Sequence, residues 1–382
     1  MIFGLMRSNI HGGMPWRHTT MKKIRKDKQD KVIDKLVGFA RQFFVGVIKS
    51  RTGSLSEIAK LLRFQKGTKG FDRMYEKLVP LISEIKEAFK KILLENLPSE
   101  GLRLAIFDDT DVKKTGKNFP KQQIHHNHSD NSFFSGMKVL SAAIYQNGKT
   151  AIVDSNIVGK EDNKLEVAKQ KVDWLIADFF VDVFLFDAWY CKEPLLQHIQ
   201  NNGKLFVSRG RRDTKVDLGN KEYQRLDALF KSLPHREYKQ IKIHGKSYWI
   251  SENIFQLNSY GNLRIIVSKE GQHNEPIFLI TNALKFSAKF IVTLYLKRFS
   301  IEIFFKDAKQ YLNFETFFCR KECKWNLHLL LTNVLHWAMQ VKNSISKTVR
   351  TIRDSVDKSL LFINQNSLLN KFFDELSKRC LT

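Results

Sequence analysis

The spacing of apolar side chains in the first hundred residues is that of α-helices. Between residues 32 and 47, apolar side chains recur every three or four positions and therefore share one helix face. Ser54 and Glu57 then have the spacing of a capping box, which predicts that a second helix starts at Ser54. The pattern predicts a helical region over residues 21–98.

Between residues 102 and 159 the apolar pattern changes to that of β-strands. Three apolar runs are separated by polar segments: 104–107, 139–145 and 151–153. Asn147-Gly148 lies between the last two runs, and this dipeptide favours a tight hairpin turn. A helical stretch follows at about 164–179, and the short apolar run 183–186 has the pattern of a strand buried on both faces. Three antiparallel strands, a helix and a further strand are the opening order of an RNase H-like fold.

The second half of the chain begins with a predicted helix near 193–200 and a strand at 205–207. Residues 210–284 again have strand-like runs, which we interpret as a β-rich insertion. One long amphipathic helix is predicted from Ser287 to about Leu312, and the remainder is helical. The fold class is therefore α/β: an RNase H-like mixed sheet with helices, interrupted by a β-rich insertion and flanked by helical N- and C-terminal regions.

The charge balance is strongly positive. The chain has 64 Lys and Arg against 39 Asp and Glu, which gives a formal net charge of +25. Such a field attracts polyanions, and nucleic acid is the commonest of these in the cytosol. Positive charge that merely aids solubility is the alternative. The basic helices of residues 21–98 could form a DNA-binding module or a plain packing domain.

Targeting signals and cysteines bear on the compartment. No apolar run reaches the roughly 18 residues that span a bilayer, and residues 1–20 are interrupted by charged residues, glycines and a proline. Residues 1–20 are interpreted as a leader of uncertain status, because Met21 would itself make a plausible start. Four scattered cysteines do not form a disulfide framework. We expect a bacterial, DNA-associated protein of the reducing cytoplasm with no membrane partner.

Carboxylates stand where two predicted strands end. Asp108 and Asp109 follow the first strand, and Asp187 follows the run at 183–186. Strand ends present catalytic groups well, and hard cations such as Mg²⁺ prefer carboxylate oxygens. Taken singly, each aspartate could equally be a solvated turn residue.

Four polar residues share one stripe on the predicted helix after Ser287. Tyr295, Arg298, Glu302 and Lys309 lie at offsets of 0, 3, 7 and 14, which at about 100° per residue places all four within one narrow sector. An ordinary amphipathic helix with an Arg298–Glu302 ion pair is the alternative interpretation.

The full spacing Tyr-x2-Arg-x3-Glu-x6-Lys, downstream of Asp-Asp-Thr and Phe-Asp-Ala-Trp-Tyr, resembles the bacterial insertion-sequence DDE transposases with a Y-R-E-K motif. The resemblance covers residues 100–315. It implies that Asp109, the aspartate preceding Thr, is catalytic together with Asp187 and Glu302. These three would hold two Mg²⁺ (or Mn²⁺) ions.

The resemblance also implies contacts with DNA. Tyr295, Arg298 and Lys309 would contact phosphates at the transposon end, where a guanidinium fork and an ammonium suit phosphate oxygens. Lys113, with Lys114 beside it, fits a further phosphate contact, although solvated strand-end lysines are equally consistent. Trp249 is our candidate for stacking a flipped base, and a core or interface aromatic is its alternative.

The implied activity is transposition. Water would nick each transposon end and the freed 3′-hydroxyl would attack target DNA, so the partners are double-stranded transposon ends and target DNA. Synapsis of two ends implies a dimer. Two alternatives stay open: a transposase-derived DNA-binding protein without cleavage activity, and a non-transposing RNase H-like nuclease.

We divide the chain accordingly. The helical DNA-binding region is 21–98, the catalytic core is 99–209 with 285–318, the insertion is 210–284 and the helical C-terminal region is 319–382. Two further groups of metal-ligand residue types have spacing that fits a metal site poorly. They are His125, His126 and His128, and Cys319, Cys323 and His328.

Overall fold

The computed structural model describes residues 16–50, 54–127, 131–217, 222–231, 237–257, 261–270, 275–340, 349 and 356–381. Residues 1–15 of the predicted leader and His128 lie outside the described residues. Among the helices in these ranges, none has the length and hydropathy needed to span a bilayer.

The N-terminal region is helical, as predicted. It comprises α1 (Trp16–Lys49), α2 (Leu55–Leu61), α3 (Gly67–Leu78), a 3₁₀ turn (Val79–Leu81) and α4 (Ile82–Asn96). The predicted cap is confirmed, because the Ser54 hydroxyl accepts from the Glu57 N–H at 3.0 Å. Phe39 packs against Phe71 with ring centroids 4.7 Å apart, and Phe44 packs against Phe373 at 5.7 Å. The N-terminal helices therefore share a core with the C-terminal region.

The strands form one continuous sheet. In chain order they are β1 (Leu104–Lys113), β2 (Gln123–Asn127), β3 (Ser132–Gln146), β4 (Lys149–Val158), β5 (Val183–Phe186), β6 (Leu205–Gly210), β7 (Lys215–Asp217), β8 (Tyr223–Arg225), β9 (Lys239–Ile243), β10 (Lys246–Leu257), β11 (Gly261–Glu270) and β12 (Ile277–Thr281). The main path through the described strands runs β2-β3-β1-β5-β6-β12-β11-β10-β7-β8, with β4 on β3 and β9 on β10.

Two features of this sheet follow from the sequence. β3 and β4 are joined by Asn147-Gly148, both with positive φ (46° and 82°), as a type I′ turn requires. The predicted insertion, however, does not form a sheet of its own. Its last strand, β12, pairs antiparallel with β6 of the core through Ile280 and Ser208, among others. The insertion strands therefore extend the central sheet.

Helices cover the sheet and complete the chain. They are α5 (Lys164–Phe179), α6 (Glu193–Asn201), α7 (Leu226–Lys231), α8 (Ala288–Leu296), α9 (Phe299–Tyr311), α10 (Glu322–Met339), α11 (Val356–Gln365) and α12 (Ser367–Leu381). α10 is buried along nearly its whole length. On β4, Ser155 contacts both Ser141 of β3, at 2.8 Å, and Asn333 of α10. The side chain of Ser141 therefore marks the sheet face that α10 covers.

The single helix predicted from Ser287 to Leu312 is wrong, because the structure contains two. α8 ends at Leu296 and α9 begins at Phe299. At the junction, the N–H of Lys297 bonds to the Leu294 carbonyl and that of Arg298 to the Tyr295 carbonyl, both at 2.9 Å. Such three-residue spacing winds the backbone more tightly than an α-helix. Extrapolating an even 100° per residue across this junction therefore does not hold.

Candidate active site

The paired register of β1 and β5 decides which aspartates lie together. These strands run parallel, with Leu104 beside Val183 and Ile106 beside Leu185. Continuing this register by two residues brings Asp108 beside Asp187. Successive side chains of a strand point to opposite faces, so Asp109 points away from Asp108. Asp108 is also paired with Ser141, which places it on the face that α10 covers.

Asp108 is linked to the glutamate helix by a buried arginine. Arg298 is 8% exposed, and its Nη1 donates to Asp108 Oδ2 at 3.0 Å. Its Nη2 donates to Glu302 Oε1 at 2.5 Å. The guanidinium group of Arg298 thus lies between the carboxylates of Asp108 on β1 and Glu302 on α9 and bonds to both.

The surroundings of Asp108 disfavour its charged form. Burial raises the pKa of Asp108 to about 7, repulsion from Asp187 adds to the shift, and the Arg298 guanidinium opposes it. Glu302, by contrast, has a side chain that is 45% exposed. The acids of β1 and α9 therefore differ in solvation, with Asp108 in the interior and Glu302 at the rim.

Asp109 has a different set of partners on the other face. It accepts from Lys138 Nζ at 3.0 Å and from the Tyr190 hydroxyl at 3.0 Å, and it forms an ion pair with Lys164. Burial favours the neutral acid, but the two lysines outweigh it and hold the pKa of Asp109 below its usual value. Asp109 is therefore an ionised carboxylate enclosed by cations, unlike Asp108.

The structure thus separates the two adjacent aspartates. It brings Asp108, rather than Asp109, to the side of Asp187, Arg298 and Glu302. Within the described part of the chain, no three acids, histidines or cysteines are close enough together to hold one metal ion. The carboxylate oxygens of Asp108, Asp187 and Glu302 are nevertheless the kind of ligand that a hard cation prefers, and the Arg298 guanidinium lies between those of Asp108 and Glu302.

The other residues predicted to contact DNA differ in their accessibility. Tyr295 is 3% exposed, and Lys309 Nζ donates to the Asp111 carbonyl at 2.6 Å. Lys113, at the end of β1, is exposed, and its ammonium lies 5.0 Å from the Phe134 ring centroid. Trp249 is partly buried on β10 and packs against the core. Of these residues, Lys113 is the most accessible to a phosphate.

Lys114 cannot serve as a phosphate contact in this structure, because it is buried. Its ammonium donates to the carbonyls of Glu315 and Phe317, the latter at 2.8 Å. Burial lowers the pKa of Lys114 to about 8, and Glu315 partly offsets the shift. Lys114 therefore ties the segment after α9 to the end of β1.

Lys114→Met should lower the free energy of unfolding by roughly 2–4 kcal/mol, because two hydrogen bonds from a cation are lost. The folded pKa of about 8 lies below that of the unfolded chain, about 10.4. Between these values the unfolded state binds more protons, so the free energy of unfolding of the wild type rises with pH. The difference between this free energy and that of the variant therefore widens. Urea unfolding at pH 7.5 and 9.5 measures this, with the exposed neighbour Lys113→Met as control. An equal difference in free energy of unfolding at both pH values would contradict the prediction.

Several residues of the site had no signal in the sequence. Lys138 and Lys164 come from β3 and α5, and only the fold brings them to Asp109. A cleft of about 470 Å³ beside Ala188 is lined by four arginines: Arg209, Arg211, Arg212 and Arg225. The last three pair with acids, whereas Arg209 is exposed. Three of these arginines are nearly consecutive in the sequence at the end of β6, and the fold brings Arg225 of β8 beside them.

The histidines and cysteines with metal-ligand residue types lie outside the cluster of Asp108, Asp187 and Glu302. His328 is buried and stacks on Phe317 with centroids 4.0 Å apart, and burial lowers its pKa to about 3. It is therefore a neutral core residue. His125 is buried with Nδ1 3.4 Å from Asp111. Cys319 and Cys323 are free thiols.

Comparison with protein families gives a match that covers the region described above. The transposase DDE domain matches residues 99–337, more than half of the chain, from just before β1 almost to the end of α10. A comparison with curated proteins gives no significant match. On the extent of the domain match, the chain belongs to the transposase DDE domain family.

Proposed function

We propose that this transposase cleaves DNA at transposon ends and joins them to target DNA, with Asp108, Asp187 and Glu302 as its catalytic acids. The observation that supports this choice is the Arg298 bridge, which links Asp108 to Glu302 while Asp187 acts on Asp108 electrostatically. Asp109, the aspartate that the motif alone favoured, is proposed instead to position Lys138 and Lys164.

Asp108, Asp187 and Glu302 would hold the divalent cations, Mg²⁺ or Mn²⁺, on which this mechanism depends. When bound, two such ions activate the attacking oxygen and stabilise the leaving oxygen of an in-line displacement. The carboxylate oxygens suit these hard cations. The high pKa of Asp108 fits the same role, because a buried acid beside a second acid is stabilised in its ionised form by a cation.

The residues of the chain have distinct parts in this reaction. Arg298 positions Asp108 and Glu302. In the first step, an oxygen of water attacks phosphorus at the transposon end, the bond to the 3′-oxygen breaks and a 3′-hydroxyl is released. In the second, that hydroxyl attacks a target phosphodiester and displaces the target 3′-oxygen. Neither step requires a covalent bond to the protein.

The DNA would be bound by several basic surfaces. We assign phosphate contacts to Lys113, which is exposed beside β1, and to Arg209, which lies in the cleft beside Ala188. Tyr295, Arg298 and Lys309 are proposed to shape this side of the site, and they would reach phosphates only if their present contacts rearrange. The basic N-terminal helices would contribute to recognition of the ends, and pairing of two ends requires at least a dimer.

The direct test is to incubate the purified protein with a duplex of its own flanking DNA. With Mg²⁺, we expect strand breaks at the element's ends that carry 3′-hydroxyl groups, and joined products when target DNA is added. A chelator should remove both and leave binding in place. Binding to the ends without any break in Mg²⁺ or Mn²⁺ would refute the proposal and favour a transposase-derived DNA-binding protein.

A further inference from the structure

Trp189 is an exposed aromatic residue beside the proposed catalytic acids. Trp189 is 40% exposed, and it comes two residues after Asp187. Its backbone N–H donates to Asp187 Oδ1 at 2.9 Å, and its ring packs edge-on against Tyr190 with centroids 5.0 Å apart. These contacts fix the indole relative to the Asp187 carboxylate while leaving part of it open to solvent.

Two lysines lie against the indole. Lys164 Nζ is 3.6 Å from the ring centroid and Lys192 Nζ is 4.0 Å from it. Lys164 is paired with Asp109, so its charge is largely neutralised. Lys192 forms no ion pair with a residue in the described ranges, so its charge is available to an anion. An aromatic face with adjacent cations is the combination that binds a stacked base and its phosphate.

We propose that Trp189, Lys164 and Lys192 form a subsite for one unpaired nucleotide of the DNA substrate. The base stacks on the indole in place of the Lys192 ammonium, and that ammonium moves to the adjoining phosphate. Lys164 stays in position through Asp109. The subsite rests on the proposed function, because Asp187 places it next to the phosphate to be cleaved.

Trp249 is less suited than Trp189 to stacking an unpaired base. Trp249 is partly buried on β10 and packs against the core, whereas Trp189 combines an exposed face with two lysines and a hydrogen bond to Asp187. An unpaired base must leave its duplex stack, which costs least at a nick or a duplex end. Cleavage creates such a nick beside the catalytic acids, and Trp189 lies next to them.

The test uses a 12-nucleotide single-stranded DNA carrying one 5-iodouracil, with the full chain and a chelator present. Irradiation should crosslink the base to Trp189, as located by peptide mass spectrometry. Trp189→Leu keeps apolar bulk without the π-face and should weaken binding about tenfold, or about 1.4 kcal/mol. Trp189→Phe should retain most of the affinity. Lys192→Ala should reduce the slope of log K against log salt by about 0.7, as expected for one phosphate contact.

Tyr223→Ala, which removes an exposed aromatic at the far edge of the sheet, should bind and crosslink as wild type does. Unchanged binding by a folded Trp189→Leu variant would overturn the subsite, as would a crosslink that maps to Trp249. Because the chelator prevents cleavage, crosslinking at Trp189 does not depend on the catalytic assignment. Cleavage by the wild type in Mg²⁺, without a crosslink to Trp189 when the chelator is present, would contradict the subsite and leave the proposed function in place.

Discussion

Asp108→Asn is expected to abolish Mg²⁺-dependent cleavage of transposon-end DNA, by on the order of 10³-fold or more, without unfolding the protein. The reason is the position of Asp108, which lies on the face shared with Arg298 and near Asp187. Cleavage by equal amounts of wild-type and variant protein, with end binding measured in parallel, tests it.

The same variant should gain stability when metal is absent. Burial and Asp187 raise the pKa of Asp108 from 3.8 to about 7, so ionisation in the folded state costs about 4 kcal/mol at 1.36 kcal/mol per unit. Asparagine avoids this cost but weakens the hydrogen bond to Arg298, and we expect a net gain of about 1–3 kcal/mol above pH 7. The folded state binds more protons between pH 3.8 and about 7, so the advantage of the variant should grow with pH across that window.

Asp109→Asn is the matched comparison, and its stability should change in the opposite direction. Removing this carboxylate leaves Lys138 and Lys164 without their shared partner, which should cost roughly 2–4 kcal/mol at pH 7. Because the pKa of Asp109 is lowered in the fold, this loss should be present above pH 4 and shrink as the acid is protonated below it. If Asp109→Asn were the stable, inactive variant and Asp108→Asn the active one, the assignment of the two aspartates would be reversed.

The order of elements was predictable from the sequence because each depends on local spacing. The helical N-terminus, the β3–β4 hairpin at Asn147-Gly148 and the short strand at 183–186 all occur as predicted. The core face of α1 is offset by one position at its start, where Ile33 is buried and Val32 is 52% exposed. Periodicity identifies a helix more reliably than the residue at which its apolar face begins.

The choice between Asp108 and Asp109 was not accessible to the same reasoning. Neighbouring aspartates on one strand differ only in the face to which each points, and that depends on which elements cover each face. The parallel pairing with β5 and the position of Ser141 under α10 supply this information. Likewise, the pairing of β12 with β6 is a long-range contact, so the sequence could not show that the insertion extends the central sheet.

The polar stripe after Ser287 was predicted on one continuous helix, whereas the structure divides its residues between α8, α9 and the turn that joins them. With the tight turn at Lys297 and Arg298, Arg298 is buried and binds two carboxylates. It therefore organises acids in this structure, whereas the motif alone indicated a phosphate contact. The partner of each side chain could not be predicted from the spacing, because those partners lie on other elements of the fold.

Glu302→Gln should abolish Mg²⁺-dependent cleavage, again by on the order of 10³-fold or more, and leave the affinity for transposon ends within about twofold. The Glu302 side chain is 45% exposed and its partner is Arg298, so loss of the charge should change stability by no more than about 1 kcal/mol. Glutamine retains an oxygen that can accept from Arg298. The change thus removes a metal ligand while sparing the bridge to Asp108.

This separation makes Glu302 a sharper probe than Arg298. Removing the guanidinium would leave Asp108 buried without its cation and alter fold and site together, whereas Glu302 lies at the rim. Asp307→Asn is a suitable control, because Asp307 is an acid of the same helix, five residues away and on a different face. We expect that control to cleave at a rate close to wild type. Cleavage retained by Glu302→Gln, with Asp307→Asn unchanged, would show that α9 does not supply the third acid.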